Sequence, residues 1–171
     1  MTSLATTGPA PASSVTYLEL GAETGCVQTR LGSQTWARRE FSLGVDSLVR
    51  LSLRHAPPRP VELEHAIELT EDSVMPLADQ FTGSNQLVMQ GIGAALIAQS
   101  LSAGSNGQSA LTLDEVEALF NRLVAVTEGR PTSQESLPTD ARFIAAMLIL
   151  REFMHHLQFA NVTLQPSREP L

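Results

Sequence analysis

The apolar residues of this chain change their spacing near residue 60, and this change predicts strands first and helices afterwards. Between residues 15 and 55 apolar side chains recur at every second position, as in "SLVRLSLRH", which is typical of half-buried strands. After "APPRP" they recur three and four residues apart, which is typical of amphipathic helices. The pattern therefore predicts an α+β fold, with an antiparallel β-meander packed against three or four helices.

Glycines divide the first segment into about four short predicted strands with short connections, which favours a meander. One face of this meander would be apolar and the other would present arginines. The fourth strand has a competing interpretation, because an amphipathic helix over 46–55, capped by Asp46, fits the same residues.

The predicted helices differ in how sharply the sequence defines them. The segment 61–75 carries one apolar stripe. Thr112 and Glu115 form a capping box for a helix that would end near Thr127. The last helix would run from a cap at Thr139 to about His156.

Two further segments concern the sheet. Residues 84–102 fit either one long helix or a strand, "QLVMQ", followed by a helix from Gly93. Residues 161–164 are predicted to form a final edge strand. We expect residues 15–165 to form a single domain, 1–14 to be disordered and 166–171 to be a flexible tail.

Composition excludes several classes of function. All eleven basic residues are arginine, so a Schiff-base lysine and a P-loop lysine are excluded. The net charge of −7 argues against a general nucleic-acid binder. No segment approaches the roughly 20 apolar residues of a membrane span, and the first residues do not resemble a signal peptide. These observations predict a soluble cytoplasmic protein, and the single cysteine, Cys26, excludes an internal disulfide.

Two Glu-x-x-His motifs could hold a divalent metal ion. Glu62 with His65, and Glu152 with His155, are each spaced so that both side chains share one face of a helix. A carboxylate and an imidazole on one face can bind the same cation. The alternative is structural: the first motif would belong to a solvated helix face, and the second to a helix end, where histidines interact favourably with the helix dipole.

Charge is segregated along the chain in a way that favours contacts between surfaces. The predicted helix at 61–75 carries acidic residues at spacings that repel one another, and arginines crowd the segment before it. The last helix has a second apolar stripe, which would be central in the fold or covered by another subunit. The candidate interface residues are Trp36, Arg38, Arg50, Arg54, Glu64, Glu68, Glu71, Asp72, Leu148, Glu152 and His156.

The segment from Gly91 to Ala95 resembles the start of a phosphate-binding glycine loop but lacks a third glycine. The alternative is that its small residues allow close helix packing.

No arrangement of residues is typical of a nucleophilic enzyme. The sequence therefore favours a small non-enzymatic accessory or interaction protein, such as an assembly factor or chaperone-like protein, that self-associates and docks a protein partner. A metal-binding protein using the two Glu-x-x-His motifs is the alternative, and a small-molecule binder at residues 91–95 is a weaker one.

Overall fold

The structure is a computed structural model that describes residues 14–81, 86–102, 110–135 and 137–166. The predicted α+β class is confirmed. The strands are β1 (Val15–Leu20), β2 (Gly25–Leu31), β3 (Gln34–Phe41), β4 (Gln86–Gln90), β5 (Ala110–Thr112) and β6 (Asn161–Gln165). The helices are α1 (Val45–Leu51), α2 (Pro60–Val74), α3 (Ala78–Phe81), α4 (Gly91–Ser102), α5 (Leu113–Thr127), α6 (Thr132–Glu135) and α7 (Ala141–His156), with a 3-10 turn at Met75–Leu77.

The strands form one six-stranded sheet in the order β3-β2-β1-β4-β6-β5. The first three strands are an antiparallel meander, as predicted, whereas β4 pairs parallel with both β1 and β6. The parallel pairs follow from the helices that lie between these strands in sequence, because parallel neighbours need a crossover connection. The final strand is therefore interior rather than at an edge, since β5 pairs antiparallel on its far side.

The fourth predicted strand is wrong, and the competing helix is present there as α1. Its buried residues include Val45 and Leu48, with Ser52 one turn beyond, and this three-and-four spacing is helical. The helix begins after Gly44, whose N–H donates to Ser47 Oγ at 2.7 Å. Asp46 does not cap it.

Two other uncertain segments are now defined. The strand-plus-helix interpretation of residues 84–102 is correct, with the helix beginning at Gly91 rather than Gly93. The cap of α7 is Asp140 rather than Thr139, because its carboxylate accepts hydrogen bonds from the N–H groups of Arg142 and Phe143. The predicted disordered segment 1–14 and flexible tail 166–171 lie outside the described residues, apart from Ser14, which is buried, and Pro166, which is exposed.

One face of the sheet is buried beneath the helices, and α7 is the central helix of that layer. It packs against α1, α2, α4 and α5, and residues 143–150 are all buried. This explains the second apolar stripe of α7 within a single chain. The opposite face of the meander presents polar side chains, among them Glu19, Arg30 and Arg38, all exposed.

Among the described residues, no helix is both long and apolar enough to cross a membrane.

Candidate functional site

The carboxyl ends of the parallel strands β1 and β4 bring two backbone segments together. β1 ends at Leu20 and leads into a turn over residues 21–24, while β4 leads directly into α4 at Gly91. Gly91 has φ +80°, and a Cβ there would lie 2.7 Å from the carbonyl oxygen of Leu20. Only glycine permits this approach, so the first turn of α4 lies against the end of β1.

The turn at 21–24 is fixed from its other side by α1. The N–H of Val45 donates to Gly21 O at 3.0 Å, and the N–H of Asp46 donates to Ala22 O at 2.8 Å. Arg50 holds Glu23 by two hydrogen bonds of 2.8 and 3.1 Å. These bonds raise the pKa of Arg50 and lower that of Glu23. The first N–H groups of α1 therefore orient the turn.

Two polar cavities open on the exposed face of the sheet beside this turn, and both are lined by Glu19, Cys26 and Arg38. Their volumes are about 130 and 230 Å³. The first also touches Gln90, at the end of β4, and the second touches Gly21 and Thr24. The cavities thus connect the polar sheet face to the strand ends.

The charges around these cavities are partly paired. Arg38 donates to Glu40 at 2.8 Å, and this hydrogen bond raises the pKa of Arg38. Burial raises the pKa of the Cys26 thiol, which is therefore protonated at neutral pH and a poor nucleophile. Glu19 is the exposed carboxylate at the end of β1.

A second cluster lies in the helix layer, between α2 and α7. His156 Nε2 lies 3.4 Å from Glu152 Oε2 and 3.6 Å from Glu71 Oε1. Glu152 is only 1% exposed. Among the described residues, these three side chains form the one group that offers three metal-ligating atoms within 4.8 Å of one another.

Arg151 is the cation that accompanies this buried carboxylate. Its Nη1 donates to Glu152 Oε1, its Nε donates to Glu117 Oε2 at 3.0 Å, and its guanidinium stacks on Phe120 at 4.2 Å. Burial opposes the charge of Arg151, but the hydrogen bond to Glu117 and the charge of Glu152 raise its pKa above the usual value. Glu152 therefore has one oxygen bound to Arg151 and the other facing His156.

The structure does not bring the two predicted Glu-x-x-His motifs together. Glu62 pairs with His55 Nδ1 at 2.7 Å, and its other oxygen accepts from the N–H of Arg59 at the start of α2. The hydrogen bonds from Arg59 and His55 lower the pKa of Glu62 despite its desolvation. His65 and His155 are both exposed. Glu152 lies close to His156 instead. The two residues are four positions apart and so share one face of α7, and on this face His156 also approaches Glu71 of α2.

The predicted interface residues are distributed between surface and core. Arg50 pairs with Glu23, and Arg38 with Glu40, rather than with the acidic residues of α2. Leu148 is fully buried within the chain, as Glu152 nearly is, so neither is available to a partner. The residues that are exposed are Arg38, Arg50, Arg54, Glu64, Glu68 and Asp72. Trp36 lies in β3, where the register with β2 shifts. A docking role for the exposed residues stays a prediction.

Sequence reasoning missed the turn at 21–24 and the position of Glu19 beside it. The signal was a glycine-containing turn, "GAETG", directly after a predicted strand. In open sheets, ligands bind at the carboxyl ends of parallel strands. That rule depends on the parallel pairing of β1 with β4, which joins segments far apart in the chain and leaves no local signal in the sequence.

The fold is similar to that of Ppx/GppA phosphatases. The chain matches the type II variant of the Aquifex aeolicus Ppx/GppA phosphatase with a TM-score of 0.68 and 14% sequence identity, over 92% of this chain and 54% of that one. It matches an exopolyphosphatase from Cytophaga hutchinsonii with a TM-score of 0.63 and 14% identity, over 93% of this chain and 54% of that one. The chain thus spans about half the length of these structures. No protein-family model and no curated protein sequence matches it.

This likeness corrects the functional expectation from the sequence. A non-enzymatic accessory or interaction protein is the wrong interpretation, because the structures that share the fold are phosphatases. The sequence has no lysine and no nucleophile arrangement, but a ligand site at the carboxyl ends of parallel strands needs neither.

Proposed function

We propose that this chain is a phosphate-binding domain of phosphatase type, with its site at the carboxyl ends of β1 and β4. The observation that carries the proposal is the close approach of Gly91, at the start of α4, to Leu20, the last residue of β1 before the 21–24 turn, in a fold similar to that of Ppx/GppA phosphatases. The start of a helix after a parallel strand presents N–H groups and a positive dipole end, which suit a phosphate. The weak glycine-loop resemblance at residues 91–95 falls at this point.

The side chains near the site supply the remaining chemistry. Arg38 offers a guanidinium, the group best suited to bind phosphate in a chain without lysine. Glu19 offers an exposed carboxylate that can accept a proton from water. In the proposed reaction, water attacks phosphorus, Glu19 takes its proton, and the bond to the departing phosphate oxygen breaks as that oxygen leaves with the electron pair.

The test uses the intact chain with inorganic tripolyphosphate. Binding is followed by calorimetry, and hydrolysis by the release of inorganic phosphate. We expect Arg38→Gln to weaken binding, and Glu19→Gln to lower kcat by about a hundredfold with little change in KM. Glu64→Gln on α2 is the control, because it removes an exposed carboxylate from the helix layer.

The results separate three cases. Hydrolysis that depends on Glu19 supports both parts of the proposal. Binding without hydrolysis leaves a phosphate-binding domain and removes the catalytic role of Glu19. If tripolyphosphate is neither bound nor hydrolysed, the proposal is wrong.

Cation binding is a second candidate function. The observation that favours it is the group formed by Glu71, Glu152 and His156 in the helix layer. Of the four metal ligands predicted from the sequence, only Glu152 belongs to this group, and Glu71 and His156 were not predicted as ligands.

A further inference from the structure

We propose that Glu71, Glu152 and His156 bind one transition-metal dication, with zinc the best fit. This inference deepens the second candidate function and does not depend on the phosphate site. The ligand atoms come from two packed helices, since Glu71 belongs to α2 and the other two residues belong to α7.

The distances from His156 to the two carboxylates fit a single shared ion, and the three ligand atoms all lie within 4.8 Å of one another. Two atoms that each lie about 2.0–2.1 Å from a tetrahedral metal are separated by about 3.4 Å. His156 Nε2 lies 3.4 Å from Glu152 Oε2 and 3.6 Å from Glu71 Oε1. A metal can therefore be accommodated with small side-chain adjustments.

The state of His156 is an independent indication of a ligand. Its Nε2 is buried and, among the described residues, makes no hydrogen bond, although two carboxylate oxygens lie near it. Buried polar atoms in native structures are nearly always hydrogen-bonded or bound to a ligand. A nitrogen that faces two carboxylates without bonding to either is arranged as a metal ligand would be.

The surrounding charges also favour a dication. Within this network of ion pairs, the carboxylates of Glu71, Glu117 and Glu152 are accompanied by one guanidinium, that of Arg151. Counted without His156, the three carboxylates and one guanidinium leave two negative charges in excess. Because Arg151 already binds Glu152 Oε1, the oxygen Oε2 is left to face the proposed ion.

The donor set selects the class of metal. One imidazole nitrogen and two carboxylate oxygens suit zinc, manganese or iron, whereas calcium and magnesium prefer oxygen alone. Three protein ligands leave a fourth position for water, as in zinc sites that are not closed.

The test is metal uptake by the tag-free chain after chelator treatment. Zinc chloride is titrated by calorimetry, and cobalt chloride by the visible absorption that a tetrahedral site produces. We expect one equivalent of metal to bind. His156→Gln and Glu71→Gln should each lower the affinity by at least about tenfold, since even residues behind the ligands have effects of that size. His155→Gln, at the adjacent exposed position, is the matched control and should bind as the unchanged chain does.

Three results would overturn the proposal: no uptake, an equal loss in His155→Gln, or undiminished affinity in either ligand variant. Circular dichroism of each variant establishes that it is folded. Glu71 has a half-exposed side chain, so Glu71→Gln provides the decisive comparison even if His156→Gln folds poorly.

Discussion

Arg151 Nη1 donates a hydrogen bond to the Oε1 of Glu152, the residue next to it in α7, and Glu152 is 1% exposed. Adjacent residues on a helix normally point in different directions. Here the arginine side chain is long enough for its Nη1 to contact Glu152 while its Nε donates to Glu117 on α5. The buried charge of α7 thus depends on a cation that also joins two helices.

This dependence predicts a large effect of removing the cation. Arg151→Met should lower the free energy of unfolding by about 3 kcal/mol, because a buried carboxylate is left without its partner. The double variant Arg151→Met/Glu152→Gln should recover much of that loss, since neither residue is then charged. Urea unfolding at pH 7 measures both. If the single and double variants are equally stable, the loss of stability in Arg151→Met does not come from leaving the Glu152 carboxylate without a partner.

Glu135 predicts a pH-dependent contribution to stability. Its carboxylate is bound by Arg130 at 2.6 Å and Arg122 at 3.2 Å, and these hydrogen bonds lower its pKa below the ordinary 4.5. A depressed pKa stabilises the folded state at pH values above 4.5, and the stabilisation is lost as pH falls through the folded-state pKa.

Glu135→Gln should therefore be less stable than the unchanged chain at pH 7, and the difference should shrink below pH 4.5. Urea unfolding at pH 7, 4 and 3 provides the measurement. Glu128→Gln, exposed at the end of α5, is the control. A difference that is constant with pH would contradict the assigned role.

Two glycines with positive φ allow the cost of an unfavourable backbone conformation to be distinguished from the cost of a steric clash. Gly129 has φ +105° and open space around an added Cβ, whereas at Gly91 an added Cβ meets the Leu20 carbonyl. We expect Gly129→Ala to cost about 1–2 kcal/mol of unfolding free energy. Gly91→Ala should cost on the order of 3 kcal/mol, because the strand end must also shift. Urea unfolding of the two variants measures both losses of unfolding free energy. Equal losses would show that an added Cβ at position 91 does not clash with Leu20.

A buried hydrogen bond joins Thr16 on β1 to Thr29, its register partner on β2, at 2.8 Å between the two hydroxyl oxygens. Thr16→Val or Thr29→Val alone should cost about 1–2 kcal/mol, because one buried hydroxyl loses its partner. The double variant should cost less than the sum of the two single costs. A double-mutant cycle in urea measures the coupling, and strict additivity would contradict it.

The sequence predicted elements whose signals are local. The capping box of Thr112 and Glu115 is present at the start of α5, which ends at Thr127 as expected, and α2 lies within one residue of its predicted bounds. Alternating polarity likewise identified the meander and its polar face. These features depend on neighbours two to four positions away, so a single sequence contains them.

Only the tertiary structure decided how the strands pair and which charged residues meet. The parallel pairing of β1 with β4 joins segments about 70 residues apart, and it alone brings Gly91 to Leu20. The choice of His156 over His155 depends on which face of α7 meets α2, and a helix that is apolar on two faces leaves that choice open. The pairing of distant strands and the orientation of α7 about its axis are determined by the packing of the whole core. The local spacing of apolar residues does not predict them.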